Sequence, residues 1–329
     1  MRGKSYLWST CLITALLGGS ITSASHVAAQ DYPTRPIRLV VPFPAGGGVD
    51  LVARVLAKSV IDQTGWNIVV DNRQGVGGAL GVEIVARSAP DGYTMVLGQT
   101  SNLALAPALL PKLGYDPQKD LQPVSLVSSG PLILITPKGS RFKSMADVIA
   151  IAKAEPGKVL IGSPGNGTLG HLAGELIKQT VGIQLEHVPY RGAAQGVLDV
   201  LGGRLELFIP TVPAALTHIR SGRLQAIATL SRQRHADLPD TPSIAEAALG
   251  DLEAINWSGV LVPAGTPKPA VAALSRAVSR ALTNPEVRSK FAAEGVSPQA
   301  SSPQEFAALI GQEIARWGKV VKASGIKMQ

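Results

Sequence analysis

The sequence has a single cysteine, Cys11, among its 329 residues. A chain with one thiol forms no internal disulfide. A mature form that begins after the leader discussed below would also hold no thiolate metal site and no cysteine nucleophile. Aromatic residues are scarce as well, at 4%. Stacking platforms for nucleic acids need aromatics, and phosphate-backbone stripes need clustered cations; here Lys and Arg are scattered, which argues against nucleic-acid binding. The histidines at 171, 187, 218 and 235 lack paired metal-ligand spacing, so no metal and no other cofactor is expected. Negative charge is in deficit: the chain carries a net +8, and removing Arg2 and Lys4 with a leader leaves +6. That balance favours anionic ligands through long-range steering.

Long apolar runs are also missing. The uncharged stretch from Tyr6 to Ser25 is broken by Gly18-Gly19-Ser20, short of the ~20 residues a membrane span needs. Arg2 and Lys4 precede it, and Val27-Ala28-Ala29 offers a small–x–small cleavage pattern. This combination predicts a cleavable signal peptide over residues 1–29, a mature start near Gln30 and a periplasmic location. Trp8-Ser9-Thr10 before Cys11 does not match a lipoprotein acylation site.

The remaining length exceeds what one core usually fills, so two domains are expected. Apolar runs alternate with amphipathic segments, the pattern of an α/β fold with mixed, mainly parallel sheets. Ile37–Val41 reads as a first strand, Leu51–Val60 as a helix, and further strands are expected at 67–71, 94–98 and 132–136. A second unit follows, with a capping box at Ser144 to Asp147, strands at 158–162, 184–188, 205–209 and 224–230, and a short helix opened by Thr241-Pro242. Helices at 269–282, 285–294 and 303–323 have no sheet of their own and are expected to return to the first unit. The chain would then cross between lobes near residues 130 and 255, giving one domain from 30–131 with 255–329 and another over 132–254. A ligand would sit in the cleft between the lobes, at the carboxyl ends of their strands.

Three glycine-rich turns each join a strand to a helix start: Val41 to Asp50, Gly162 to Thr168 with His171 in the following helix, and Val188 to Gln195. Glycine permits close backbone approach, and the free N–H groups of a helix start suit an anion. Two such turns facing each other would hold a carboxylate without a dedicated cation. His171 is placed to donate to an anion. Asp50 reads either as a first-turn carboxylate favoured by the helix dipole or as a group that orients a ligand donor. Tyr190 and Arg191 lie in the third turn, and Arg191 either pairs with a second carboxylate or lies along the surface. Gly165-Asn166-Gly167-Thr168-Leu169-Gly170 also matches G-x-G-x-x-G, with Glu186 ending the next strand, so an exported dinucleotide enzyme is an alternative. Ser231, His235 and Asp237 have the residue types of a catalytic triad, but neighbours in one polar segment rarely make that geometry. No catalytic residue is assigned.

In order along the chain, Val41-Pro42-Phe43-Pro44-Ala45-Gly46-Gly47, Asp71-Asn72-Arg73, Ala89-Pro90-Asp91-Gly92-Tyr93, Gly165-Asn166-Gly167-Thr168, His171-Leu172-Ala173-Gly174-Glu175, Val188-Pro189-Tyr190-Arg191-Gly192 and Pro263-Ala264-Gly265-Thr266-Pro267 together resemble the Bug-type (TctC-like) substrate-binding proteins of tripartite tricarboxylate transporters. The resemblance implies a two-lobed fold of the type II periplasmic-binding class, monomeric and non-enzymatic. Such a protein closes on a small organic carboxylate and delivers it to membrane transporter subunits; a ligand-presenting receptor for a signalling partner is the alternative role. It also implies ligand contacts from Phe43, Ala45, Gly46 and Gly47, from Ser163, Asn166, Gly167 and Thr168, and from Thr100 and Ser101. Thr211 completes the candidate set. Leu103, Ala106 and Pro210 stand where family members often carry polar residues. Apolar groups there would favour an aromatic or aliphatic acid over an acidic amino acid.

Overall fold

The computed structural model describes residues 32–250, 252–293 and 295–325. The leader expected over residues 1–29, Cys11 included, lies outside them.

The first sheet is built from β1 (Ile37–Val41), β2 (Ile68–Asn72), β3 (Thr94–Gln99) and β4 (Leu121–Pro131), joined late in the chain by β10 (Ile255–Pro263) and β11 (Ser297–Pro298). Their order is β11-β4-β10-β3-β1-β2. The second sheet holds β5 (Ile133–Pro137), β6 (Leu160–Ser163), β7 (Glu186–Pro189), β8 (Leu207–Phe208) and β9 (Leu224–Thr229), in the order β7-β6-β8-β5-β9. Helices α1 (Gly48–Thr64), α2 (Ala79–Ala86) and α3 (Ala106–Leu109) follow strands of the first sheet. α4 (Met145–Ala154), α5 (Leu169–Val181), α6 (Ala193–Leu201) and α7 (Val212–Arg220) serve the second. α8 (Lys268–Thr283), α9 (Pro285–Ala293) and α10 (Pro303–Ser324) close the chain.

Local sequence accounts for these elements. Every residue of β1 except Arg38 is buried, as a strand covered on both faces requires. α1 places Val52, Ala53, Leu56 and Val60 in the same core as β1, with Val271, Leu274 and Val278 of α8. It stops at Gly65, whose left-handed backbone lets its N–H close on the Ile61 carbonyl. Capping boxes start α4 at Ser144 and α10 at Ser302. The closing helices do return to the first sheet: α8 packs on α1 and β4, and α10 on β4.

The chain passes from one sheet to the other at Leu132 and returns between Thr229 and Ile255. Leu132 N–H donates to Ala254 O (3.0 Å), Ala254 N–H to Leu230 O (2.9 Å) and Leu230 N–H to Leu132 O (2.8 Å). The two passages are therefore one hydrogen-bonded ribbon.

Three details depart from the sequence reading. β4 is not among the strands expected from the sequence; Pro123 within it is accommodated beside an irregularity in its pairing with β10 at Val260/Leu261. The sheets are mixed but not mainly parallel: among the described residues, three of five strand pairings in the first sheet and two of four in the second are antiparallel. Residues 241–250 make turns and no helix. There Arg234 holds Glu246, whose carboxylate accepts Ser243 N–H (2.9 Å), while Ile244 N–H is drawn to Ser231 O (3.1 Å).

Candidate functional site

The turn after β1 is braced from within. Asp50 is buried, and its carboxylate accepts Gly46 N–H (2.9 Å), Arg54 Nε (2.9 Å) and Asn72 Nδ2 (3.0 Å). Asn72 Nδ2 also donates to Phe43 O (2.9 Å). Burial alone would push the Asp50 carboxyl up, but hydrogen bonds from Arg54, Gly46 and Asn72 outweigh it and hold the group below the usual carboxylate range. Asp50 thus shapes the turn and lines neither of the cavities described below. α1 then starts from Gly47 with no side-chain cap. A Cβ on Gly48 would lie 2.8 Å from Thr211 Oγ1, so this glycine is what lets the opposite lobe approach.

The turn after β6 is closed on itself. Ser163 Oγ donates to Gly165 O (3.1 Å) and meets His187 Nε2 at 2.8 Å. Gly167 N–H donates to His171 Nδ1 (3.3 Å), Thr168 caps α5 by accepting His171 N–H (3.3 Å), and Leu169 N–H reaches Ser101 Oγ across the lobes (2.9 Å). The imidazoles of His171 and His187 stack with centroids 4.1 Å apart. Burial, then the neighbouring His171 and Lys178 charges, bring His187 down to about 4; burial first also lowers His171, with Lys178 acting the same way against Glu175. His171 Nδ1 is thus taken as an acceptor within the turn, which leaves the proton on Nε2, and the ring lines neither cavity.

The turn after β7 is open. α6 starts from Gly192 and α7 from Thr211, both without a side-chain cap. No hydrogen bond within the described residues occupies the N–H groups of Ala193, Ala194 and Gln195, or of Gly48 and Val49 in α1. Tyr190 is held aside, its hydroxyl donating to Asp199 (2.9 Å).

The starts of α1, α6 and α7 converge on a cavity of about 190 Å³, lined by Phe43, Ala45, Gly47, Gln99, Arg191 and Thr211 among others. A second cavity of about 490 Å³ lies beside it, where Asn166, Tyr190 and Arg191 meet the loop at 74–78. Arg191 lines both and is the one charged residue in either lining. It is exposed and makes no ion pair or hydrogen bond among the described residues. The arrangement offers a guanidinium, free helix-start amides and neutral amide side chains to an anion, with no carboxylate to receive a cation.

Of the expected site residues, Phe43, Ala45, Gly47, Asn166, Tyr190, Arg191 and Thr211 line a cavity, whereas Gly46, Asp50, Ser163, Gly167, Thr168 and His171 build the turns behind it. Thr100 and Ser101 are buried and line neither: Thr100 Oγ1 accepts Trp257 N–H (3.0 Å), and Ser101 bonds Leu169. Leu103 and Ala106 are likewise in the core, which removes them as determinants of ligand polarity. Pro210 lines neither cavity, its carbonyl accepting Ile133 N–H (3.0 Å). Gln99 and Gln195 were missed as candidates; both sit where a strand ends or a helix begins, the positions from which α/β folds present ligand groups. The G-x-G-x-x-G match is a poor dinucleotide site, because the N–H groups of Gly165, Gly167, Thr168 and Leu169 are bonded within the protein and Glu186 opens β7 instead of ending it. Ser231 and His235 point to different backbone carbonyls, Gln233 O and Gly295 O.

Residues 52–326 match the family described as "Tripartite tricarboxylate transporter family receptor". Protein BugT of Bordetella pertussis is 39% identical over 307 residues, 93% of this chain and 94% of its own. Among solved structures, R. palustris Rpa4515 with adipate superposes with a TM-score of 0.87 at 35% identity, covering 90% of this chain and 99% of that one. MatC (Rpa3494) from Rhodopseudomonas palustris with bound malate gives 0.84 at 30% identity, covering 88% and 100%.

Proposed function

This chain belongs to the TctC family of tripartite tricarboxylate transporter receptors, periplasmic solute-binding proteins and not enzymes, and we propose that it captures a small organic carboxylate in the inner cavity and delivers it to membrane transporter subunits. The unpaired Arg191 guanidinium beside three uncapped helix starts carries this reading. The carboxylate accepts N–H groups from both lobes, so binding and closure are one event. The lobes divide as residues 30–131 with 255–329 and residues 132–254, and they rotate about the ribbon at Leu132, Leu230 and Ala254. Relatives of this fold hold adipate and malate, which supports an acid as the ligand class. With no acidic side chain in either lining, an ammonium group would be buried without a partner, and acidic amino acids are disfavoured.

Titration calorimetry of the mature protein against short mono- and dicarboxylates, aspartate and glutamate tests this. Short acids should bind and the two amino acids should bind at least about tenfold more weakly. Arg191→Ala should weaken acid binding by roughly ten- to a hundredfold, the range of a charge-assisted hydrogen bond, with stability unchanged. Ligand should also slow amide exchange at Gly48, Val49 and residues 193–195. Tight aspartate binding would overturn the ligand class, and no response to any acid would overturn the receptor mechanism.

A further inference from the structure

The lobes touch at two places along the cleft mouth. A Cβ on Gly192 would lie 2.7 Å from Pro44 Cγ, and a Cβ on Gly77 would lie 3.0 Å from the Asn166 carbonyl oxygen. The outer cavity of about 490 Å³ is lined by residues of both contacts, so closure encloses it together with the inner one. The two adjoin, since Phe43, Pro44, Pro164, Arg191 and Gly192 line both. The inner cavity, at about 190 Å³, is only a little larger than the roughly 150 Å³ cavity known to hold benzene. An acid of about six carbons fills it, and anything longer must pass Pro44 and Gly192 into the outer space.

We propose that the outer cavity is a second chamber of the same site, which receives the apolar tail of an acid whose carboxylate stays in the inner one. The proposal rests on the carboxylate reading above. Its walls suit a tail, because Pro42, Phe43, Pro189 and Tyr190 present apolar faces, Gln74 and Asn166 are neutral, and the single charged group, the Arg191 guanidinium, also borders the inner cavity where the carboxylate sits. The backbone is shaped to keep the space open. Gly75, Val76, Gly77 and Gly78 all have positive φ, at 150°, 49°, 62° and 92°. Val76 is β-branched in the left-handed region, a strained state, and its side chain stays 63% exposed on the chamber wall. At Gly78 a Cβ would fall 2.9 Å from the Phe43 ring, so the loop lies flat against that ring without filling the cavity.

The test is a chain-length series, butanoate to decanoate and the matching dicarboxylates, titrated into the wild-type protein and into Gln74→Trp, which places an indole in the outer chamber alone. In the wild type, affinity should keep rising beyond hexanoate or adipate by up to about fourfold per methylene. In Gln74→Trp the short acids should bind as before, and the longest should lose that gain, tenfold or more. Val76→Trp serves as a second variant, with urea unfolding to show that both are folded. Affinity that peaks at the six-carbon acids in the wild type, or a variant that weakens short and long acids equally, would overturn the second chamber while leaving the carboxylate reading intact. Failure of every acid to bind would overturn both.

Discussion

The second lobe carries two glycine-rich turns with the same local plan, a short strand, a flexible turn and a helix, and their helix starts are in opposite states. Before α5, Thr168 supplies a hydroxyl cap, His171 takes a turn amide, and Ser101 reaches over from the other lobe to take Leu169 N–H. Before α6, Gly192 has no side chain to offer, and the first amides face the cavity beside Arg191. A helix start with its own cap is structurally complete, while one capped by glycine keeps unbonded donors for something else to accept. The second lobe thus uses one turn to build the cleft wall and the other to hold what enters it. The first lobe repeats the second arrangement, with Gly47 before α1.

Gly192→Val breaks this distinction most severely. The new side chain would sit against Pro44 at a φ of +120°, which side chains rarely adopt, and would hold the lobes apart beside the open amides. Carboxylate affinity should fall by about a hundredfold or more, equivalent to about 2.7 kcal/mol, by calorimetry. Wild-type affinity in a folded variant would show that the α6 start takes no part in binding.

How far the sequence could anticipate this depends on the reach of each interaction. β1, the α1 helix and both capping boxes are written in neighbouring residues, and they are found where local pattern places them. The state of a helix start is not local. Ser101 meets Leu169 from 68 positions away, so nothing near residues 163–168 reveals that this turn is already satisfied. The family pattern pointed to Thr100 and Ser101 as ligand-facing, yet both are sealed behind the cleft wall by contacts to β10 and α5. Arg191 could be placed in the cleft region by its turn, but whether it is paired depends on every acidic side chain in the fold. Gln99 was legible from its place at the end of β3, where α/β folds present ligand groups.

Acid should separate the two turns next. His187 is held at about 4 by burial and by the His171 and Lys178 charges, and His171 is lowered as well. Between about pH 6.5 and 4 the unfolded chain takes up protons that the folded turn resists, so stability is fully present above that window and declines as pH falls through it. Solvent access to the half-buried rings keeps the loss under about 2 kcal/mol. Asp50, whose carboxyl is lowered, holds the turn at Phe43–Gly47 intact until pH drops below the ordinary carboxylate range. Urea unfolding at a series of pH values should show this decline, and His187→Gln should flatten it. An unchanged slope in that variant would mean the stacked pair does not set the acid response of its turn.

Thr168→Ala is the smallest change and bears most directly on what a cap does. It removes the acceptor for His171 N–H and the hydroxyl that donates to Gly165 O at 2.8 Å, but leaves both cavity linings untouched. Loss of a threonine cap costs about 1 kcal/mol of stability, and that should appear in urea unfolding. Carboxylate affinity should stay within about twofold, because the newly freed α5 amides lie behind the wall and not on it. A tenfold loss of affinity with stability preserved would instead put Thr168 in contact with the ligand. The two turns of the second lobe would then share the work of binding, and the identity of the cap would no longer tell a wall from a holding surface.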